Sequence, residues 1–168
     1  MPKRRLPAAL LGARIAARTA PRGARELVEM PRTGSVGEVS RHKRALLVTF
    51  RRDGTPVPTP VWAAPAQGRL YVRSERYAGK LKRLRNDSRL LVAPCTVRGR
   101  PLGAPFEARA RMLEAAEEPQ AERALAERYG LGRALFERTM DLLRVDMCFL
   151  VITPGPWESA TAEEHVPR

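Results

Sequence analysis

The sequence has few of the residues that metal sites and disulfide scaffolds require. It contains two cysteines, Cys95 and Cys148, which do not form a CxxC pair, and two histidines, His42 and His165. Because so few ligands cannot assemble a zinc cluster, we expect no metal site. The same cysteine usage excludes a disulfide scaffold and fits a reducing, cytoplasmic compartment.

Aromatic residues and long apolar runs are also scarce. Only 5% of the residues are aromatic, and Phe50, Trp62 and Tyr71 fall within strand patterns. Proteins that bind single-stranded nucleic acid stack bases on exposed aromatic side chains, which this pattern does not provide. No apolar run approaches the ~20 residues of a membrane-spanning helix, so none is expected.

Acidic residues are outnumbered. Lysine and arginine total 31 against 18 aspartates and glutamates, which gives a formal net charge of +13. Residues 1–35 hold eight basic residues and two acidic ones. This balance permits binding to nucleic acid or to an anionic membrane but requires neither. We expect no nucleic-acid partner, and a membrane-surface helix in the basic tail is kept as an alternative.

The chain divides into a tail, one domain and a second tail. Residues 1–34 are predicted to form a basic, partly helical and partly disordered N-terminal tail, in which residues 21–33 are a broken, charged linker. Residues 35–157 have the length and apolar content of one domain. Residues 158–168 are predicted to be a C-terminal tail.

Short strands separated by tight turns dominate the domain. Apolar or alternating runs predict strands at residues 45–50, 57–64, 69–74, 90–93, 106–113 and 146–152. Tight turns between consecutive strands favour antiparallel pairing. We therefore predict a mainly β fold with helices (α+β), in which a six-stranded antiparallel barrel carries helices on its outside.

Turn, cap and breaker residues mark the connections. Ser35 and Glu38 have the spacing of a capping box, which predicts a short helix to about Lys43. Pro56, Pro58 and Pro60 place their missing N–H groups on one side of the second strand, which predicts an edge strand or a barrel rim. Further helices are predicted at residues 78–86, at 119–129 with Gly130 as the stop, and at 132–143. Neither GxGxxG nor a P-loop is present, so no Rossmann or Walker-type site is predicted.

The basic helix at residues 78–86 holds a candidate anion site. Ser74 ends the preceding strand, and Lys80 lies on the first turn of the helix. Because the unpaired N–H groups and the dipole of a helix start attract anions, a hydroxyl and a lysine there form a candidate phosphate seat. The alternatives are a surface lysine and a serine that caps the helix.

Four segments in order carry a family resemblance: TFRRDGTPVPTPVW, LYVRSERYAGKLKRLRNDSRLLVAPC, RGRPLG and AERYGLGRALFER. Together, within residues 44–152, they resemble the flavin- and deazaflavin-dependent oxidoreductases of the pyridoxamine-5′-phosphate-oxidase superfamily, in particular the actinobacterial branch that uses coenzyme F420. The resemblance implies a split β-barrel of the FMN-binding type, a homodimer, and a cofactor held in a cleft between two subunits.

The resemblance also implies site residues. Ser74 and Lys80 match the hydroxyl and the lysine that hold the cofactor phosphate, and Gly79 and Arg83 match further phosphate or tail contacts. Two strands border the cofactor ring in the family. The first is matched by Thr59, Pro60, Val61 and Trp62, and the second by Ala93, Pro94 and Cys95. A core role for Trp62 and a buried thiol at Cys95 are the alternatives. No residue is assigned a catalytic role.

Two departures from the FMN-using oxidases favour the deazaflavin. In the pattern of those enzymes that this sequence resembles, arginine stands at the position of Thr59 and Ser-Arg at the positions of Ala78-Gly79. Losing two arginines weakens a terminal-monophosphate site, whereas a glycine and a basic helix suit a phosphodiester with a long anionic tail. The resemblance therefore implies hydride transfer from reduced F420 to a conjugated, electron-poor small molecule, such as a biliverdin-like tetrapyrrole or a quinone. FMN, or a non-catalytic carrier of F420, flavin or tetrapyrrole, is the alternative.

Overall fold

The computed structural model describes residues 21–158, which contain seven strands and four helices. The strands are β1 Ala45–Phe50, β2 Pro56–Val61, β3 Ala64–Ala66, β4 Arg69–Glu75, β5 Arg89–Pro94, β6 Phe106–Met112 and β7 Met147–Pro154. The helices are α1 Pro21–Glu29, α2 Val36–Ser40, α3 Gly79–Asn86 and α4 Glu118–Leu142.

One antiparallel sheet, in the order β2-β1-β5-β6-β7-β4-β3, contains all of these strands. β2 and β3 therefore lie at opposite edges, although only Trp62 and Ala63 separate them in sequence. Two residues cannot span a flat sheet whose strands lie about 4.8 Å apart. The sheet is therefore curled until its edges meet at Trp62–Ala63, which makes a half-barrel that is closed at this corner and split at the far end.

The prediction of six strands is wrong because residues 57–64 form two strands that pair with different neighbours, β1 and β4. Between them, the hydroxyl of Tyr129 in α4 bonds the backbone of Ala63. It accepts the N–H of Ala63 at 3.1 Å, and its single proton is donated to the carbonyl of Ala63 at 2.9 Å or of Lys43 at 2.8 Å. This hydroxyl satisfies the polar groups that lose their strand partners where the chain changes edges.

The prediction that the second strand lies at an edge is confirmed, since β2 has one partner strand in the described part of the chain. Pro56, Pro58 and Pro60 alternate along it. Because proline has no N–H group, these positions offer no donor to a neighbouring strand, and the side of β2 away from β1 needs none.

The inward-facing apolar side chains of the strands fill the barrel, and α3 inserts Leu81 and Leu84 among them. α3 packs against β1 and β6, across the interior of the barrel. Burying each of these leucines contributes about 1.5–3 kcal/mol. The apolar edge of α3 fixes the helix, so its basic side chains are held at the rim of the barrel.

α1 covers the outer face of β1 and β5, where Ala24 and Leu27 are fully buried. The predicted linker at residues 21–33 is therefore wrong in its first nine residues, because the spacing of Ala24, Leu27 and Val28 gives this charged segment one apolar side. The predicted tail at residues 1–20 lies outside the described residues, as do residues 159–168.

α4 covers the outer face of β4 and β7. It is broken at Gly130, where φ is 52° and ψ is −134°, so the stop predicted there is a break between two helical segments. Arg133, only 4% exposed, pairs with Glu122 and Glu137, and Glu137 also pairs with Arg73 of β4 at 2.8 Å. These ion pairs fasten the second segment of α4 to the sheet.

The short helix α2 begins as predicted. Oγ of Ser35 accepts the N–H of Glu38 at 3.2 Å, and the helix ends at Ser40 rather than near Lys43. Among the described residues, none of the helices has both the length and the apolar character needed to cross a bilayer.

The hydrogen bonds of Tyr129 lead to a stability prediction. We expect Tyr129→Phe to lower the free energy of unfolding by about 1–3 kcal/mol, because it leaves the buried N–H of Ala63 without an acceptor. Urea denaturation followed by circular dichroism, at one fixed protein concentration, measures the change.

Tyr77→Phe is the matched control, since Tyr77 is 80% exposed. We expect it to change the free energy of unfolding by less than about 0.5 kcal/mol. Equal effects of the two substitutions would show that the Tyr129 hydroxyl does not stabilise the corner.

Candidate anion-binding site at the split end of the barrel

The first turn of α3 lacks a side-chain cap. Its N-cap residue is Ala78, whose backbone is extended and whose side chain accepts no hydrogen bond, and no acidic residue lies in the first turn. The N–H groups of Gly79 and Lys80 have no acceptor within the helix. Such a helix start attracts anions through its N–H groups and its dipole.

Lys80 makes no direct ion pair in the described part of the chain. Its ammonium also makes no hydrogen bond with any residue that the structure describes, although its side chain is partly buried. Burial lowers the pKa of Lys80, while Glu75 and Cys148 act to raise it and Arg83 adds to the lowering. A desolvated ammonium without a direct partner destabilises the folded protein. An anion that binds it would therefore stabilise the folded protein.

Arg83 reaches from α3 to the inner face of β1. Its Nε donates to Oγ1 of Thr49 at 2.7 Å, which is the only hydrogen bond of its side chain in the described part of the chain. Burial lowers the pKa of Arg83, and Arg51 nearby lowers it further. Arginine stays protonated in proteins even so, and its remaining N–H donors are available to a ligand.

Gly79 is packed closely against Arg83. A Cβ at residue 79 would stand 3.1 Å from Nη1 of Arg83, which is tighter than ordinary van der Waals contact. A larger residue would require the guanidinium of Arg83 to move by a few tenths of an ångström. Glycine at this position leaves Arg83 its observed place without that adjustment.

The edge strand β2 lies beside the Arg83–Thr49 contact. Thr49 pairs with Val57, so both residues face the inner side of the sheet. Thr59 is two residues further along and faces the same side, and it is partly exposed. Of the residues predicted from the sequence, Gly79, Lys80 and Arg83 thus lie close together, and Thr59 lies on the sheet face that Arg83 contacts through Thr49.

Ser74 is buried behind this group. It is 3% exposed, pairs with Cys148 across β4 and β7, and donates its Oγ proton to the carbonyl of Glu75 at 3.3 Å. The alternative that Ser74 caps α3 is wrong, because Ala78 is the N-cap residue. Its contact with a phosphate stays a prediction.

Pro60, Ala93 and Cys95 lie on the opposite face of the sheet. Pro60 and Ala93 both pair with Leu46, and Leu46 packs outward against α1. Cys95 is buried under α1 in the same cluster. Burial raises the pKa of Cys95 to about 12, so this side chain is an un-ionised thiol at neutral pH.

Val61, Trp62 and Pro94 lie at the closed corner of the barrel. The ring of Trp62 stacks on Tyr129, with 5.6 Å between centroids, and meets Phe136 edge-on at 5.2 Å. The guanidinium of Arg44 lies 5.3 Å from the centroid of the Trp62 ring. Trp62 thus packs against other side chains of the chain but stays partly exposed, and its contact with a cofactor stays a prediction.

Two residues of the site were missed by the sequence reasoning, Thr49 and Arg51. Thr49 is fully buried on the inner face of β1. A signal for it was present, because a threonine shares the inward parity of Ala45 and Leu47 in an otherwise apolar strand. Arg51 approaches Arg83 only through the fold of the β1–β2 hairpin, which no spacing along the chain reveals.

Comparisons with known proteins bear on the fold. No protein-family model matches the chain, and no curated protein matches it. Solved structures do match. A Listeria innocua protein provisionally identified as a pyridoxamine 5′-phosphate oxidase is 13% identical, with a TM-score of 0.50, and the match covers 72% of this chain and 90% of that one.

Two further structures are similar to the chain. An FAD-binding protein from Mesorhizobium loti is 16% identical over 71% of this chain and 84% of that one, with a TM-score of 0.51. The haem storage protein HutZ from Vibrio cholerae is 18% identical, with a TM-score of 0.54, and the match covers 72% of this chain and 88% of that one. Identities this low show a shared fold alone. The chain therefore has the split-barrel fold of pyridoxamine 5′-phosphate oxidase-like proteins.

Proposed function

We propose that the chain binds the deazaflavin coenzyme F420 and is an oxidoreductase that reduces a conjugated, electron-poor small molecule. The observation that carries the proposal is the unpaired ammonium of Lys80 beside Arg83 and the uncapped start of α3. A phosphate is the ligand group that satisfies all three together. The split-barrel neighbours that bind FAD or are related to pyridoxamine phosphate oxidase support a flavin-type cofactor.

The donors at this place suit a phosphodiester better than a terminal monophosphate. Arg83 uses its Nε on Thr49, and Ala78-Gly79 contributes no side-chain donor. A dianionic monophosphate is held best by several bidentate arginines, and the FMN-using pattern that the sequence resembles has one where Thr59 stands. One lysine, one partly engaged arginine and two backbone N–H groups provide fewer bidentate donors than a terminal monophosphate site uses, and a diester requires fewer.

In the proposed mechanism, Lys80 and Arg83 would hold the deazaflavin, which would supply hydride-transfer chemistry when bound. Lys80 and Arg83 bind the phosphodiester, and the hydrogen bond to Thr49 orients Arg83 for this contact. Leu81 and Leu84 close the barrel behind them and exclude water from that side. Solvent or the substrate provides the proton that follows, so the chain contributes binding and orientation rather than acid catalysis.

A homodimer is part of the proposal. Within one chain, Pro60 lies on the face of the sheet opposite to the Arg83–Thr49 contact, whereas the resemblance assigns both Pro60 and Lys80 to one cofactor. A cleft between two subunits would resolve this, because each cofactor would then contact the phosphate seat of one chain and the partly exposed Pro60 at the sheet edge of the other. Ala93 and Cys95 stay buried under α1 and are not part of this contact.

Titrating the purified full chain with F420, FMN and haem, by fluorescence and calorimetry, tests the proposal. We expect stoichiometric F420 binding that is tighter than FMN binding, followed by turnover of at least one acceptor among tetrapyrroles, quinones and nitro compounds. Stoichiometric FMN or haem without F420 binding would contradict the cofactor assignment. F420 binding without turnover of any acceptor would identify a carrier instead.

We expect Lys80→Met to weaken cofactor binding about 10- to 150-fold, which corresponds to the loss of a charge-assisted contact of about 1.5–3 kcal/mol. The same substitution leaves the midpoint of thermal unfolding unchanged or higher, because it removes an unpaired, desolvated charge. Calorimetry and a thermal melt on the same samples measure both.

Lys82→Met is the matched control, since Lys82 lies on the same helix and is exposed. We expect the dissociation constant of the cofactor from Lys82→Met to stay within about threefold of the wild-type value, because exposed charges contribute little energy. If Lys80→Met binds cofactor as tightly as this control, Lys80 is not a ligand.

Cofactor affinity should also depend on pH through Lys80. The anion binds the protonated ammonium, so affinity is complete below the pKa of Lys80 and falls as the pH rises through it. Because burial lowers that pKa, the fall begins at a lower pH than for an ordinary lysine. Dissociation constants measured from neutral to alkaline pH test this, and Lys80→Met should lack the step.

A further inference from the structure

The second helical segment of α4 and its C-cap residue Leu143, together residues 131–143, carry an apolar surface that the rest of the described chain leaves uncovered. Its large apolar side chains are highly exposed: Leu131 89%, Leu135 71%, Phe136 41%, Leu142 79% and Leu143 52%. Soluble proteins rarely expose several large apolar residues side by side unless the patch binds something. Apart from Phe136, which meets the Trp62 ring at the closed corner, these side chains belong neither to the barrel core nor to the proposed cofactor seat.

Leu131, Leu135 and Leu142 lie on one line along the helix. At 100° per residue, positions four and eleven residues apart fall within about 40° of each other around the axis. Arg138 falls on the same line and is exposed. We call Leu131, Leu135, Arg138 and Leu142 the α4 stripe.

The opposite side of this segment is anchored, so the α4 stripe is held outward. Arg133 and Met140 are buried, at 4% and 5% exposure, and Glu137 binds Arg73 of the sheet. The segment also follows a break at Gly130, which sets its direction independently of the first part of α4. Turning the leucines inward would break these ion pairs, so the stripe is a fixed surface.

The surroundings of the stripe are cationic. Arg138 lies within it, Arg144 follows the end of the helix, and Arg44 lies over the Trp62 ring that Phe136 contacts. The nearby Asp141 is 3.9 Å from Arg73, which partly neutralises it. With a net charge of +13, the whole chain is attracted to anionic surfaces.

We infer that the α4 stripe docks on an anionic lipid surface, with its leucines in the boundary between headgroups and acyl chains and its arginines on the lipid phosphates. A helix that exposes leucines beside arginines has the composition of helices that lie in the membrane interface. The segment is 13 residues long, which suits a helix lying on a bilayer rather than crossing it.

A second copy of the chain fits the stripe less well. Pairing two stripes about a two-fold axis would remove Arg138 of each chain from water among leucines, which costs the desolvation of a charge. An anionic membrane satisfies the arginine and the leucines at once. This inference does not rest on the proposed cofactor or reaction.

Vesicle flotation of the full chain tests the inference. We expect binding to vesicles that contain phosphatidylglycerol, and at least tenfold weaker binding to phosphatidylcholine alone or at high salt. The double variant Leu131→Ser/Leu135→Ser should lose at least tenfold in partition coefficient. Both side chains are highly exposed, so these substitutions remove no core contact, and an unchanged thermal melt verifies the fold.

Val97→Ser/Leu102→Ser is the matched control, because it removes two exposed apolar side chains outside α4. We expect it to bind vesicles like the wild type. Equal loss in both double variants, or no loss in the α4 variant, overturns the inference.

The same samples test two alternatives: that the α4 stripe binds a second copy of the chain, and that the N-terminal residues rather than the stripe bind the membrane. If Leu131→Ser/Leu135→Ser converts a dimer into a monomer in sedimentation experiments while vesicle binding persists, the stripe is an interface between copies. If Lys3→Gln/Arg4→Gln/Arg5→Gln abolishes vesicle binding and the α4 variant does not, the N-terminal residues bind the membrane. Either outcome overturns the inference.

Discussion

The hydrogen bonds between the Tyr129 hydroxyl and Ala63 hold the corner on which the rest of the structure depends. They allow the chain to leave one edge of the sheet and join the other within two residues, and this forces the sheet to curl. The curl creates a split end, and α3 enters the barrel there. A side chain of α4 therefore stabilises the curled sheet into which Leu81 and Leu84 of α3 pack.

The electrostatics of the site follow from how α3 is seated. Its two leucines must be buried, and this partly removes the neighbouring Lys80 from water without a direct hydrogen bond or ion pair to a carboxylate, although Glu75 acts on it from a longer distance. The strain is tolerated because the barrel core supplies far more stability than one desolvated ammonium removes. Binding an anion offsets the desolvation cost of the Lys80 ammonium. Part of the affinity for an anionic ligand therefore comes from this cost in the free protein.

Local sequence patterns predicted most of the strands and the edge position of β2. The features that depend on packing between distant residues could not be predicted from these patterns. The apolar run of β1 and the prolines of β2 are readable because each depends on its own residues. The division of residues 57–64 was not readable, since strand character continues through Trp62 and only Tyr129, far away in sequence, shows where it breaks. Likewise, the run that contains Ala93 and Cys95 is apolar on both sides, so nothing in it indicated which face α1 covers.

The three prolines of β2 have a consequence for the behaviour of the chain in concentrated solution. With Pro56, Pro58 and Pro60 at alternate positions, the free side of this strand presents carbonyl groups and no donors. An extended segment from another molecule therefore finds only half of the hydrogen bonds that it needs for growth of the sheet. The rim of the barrel can thus stay open to a small ligand while resisting the strand-to-strand addition that leads to aggregation.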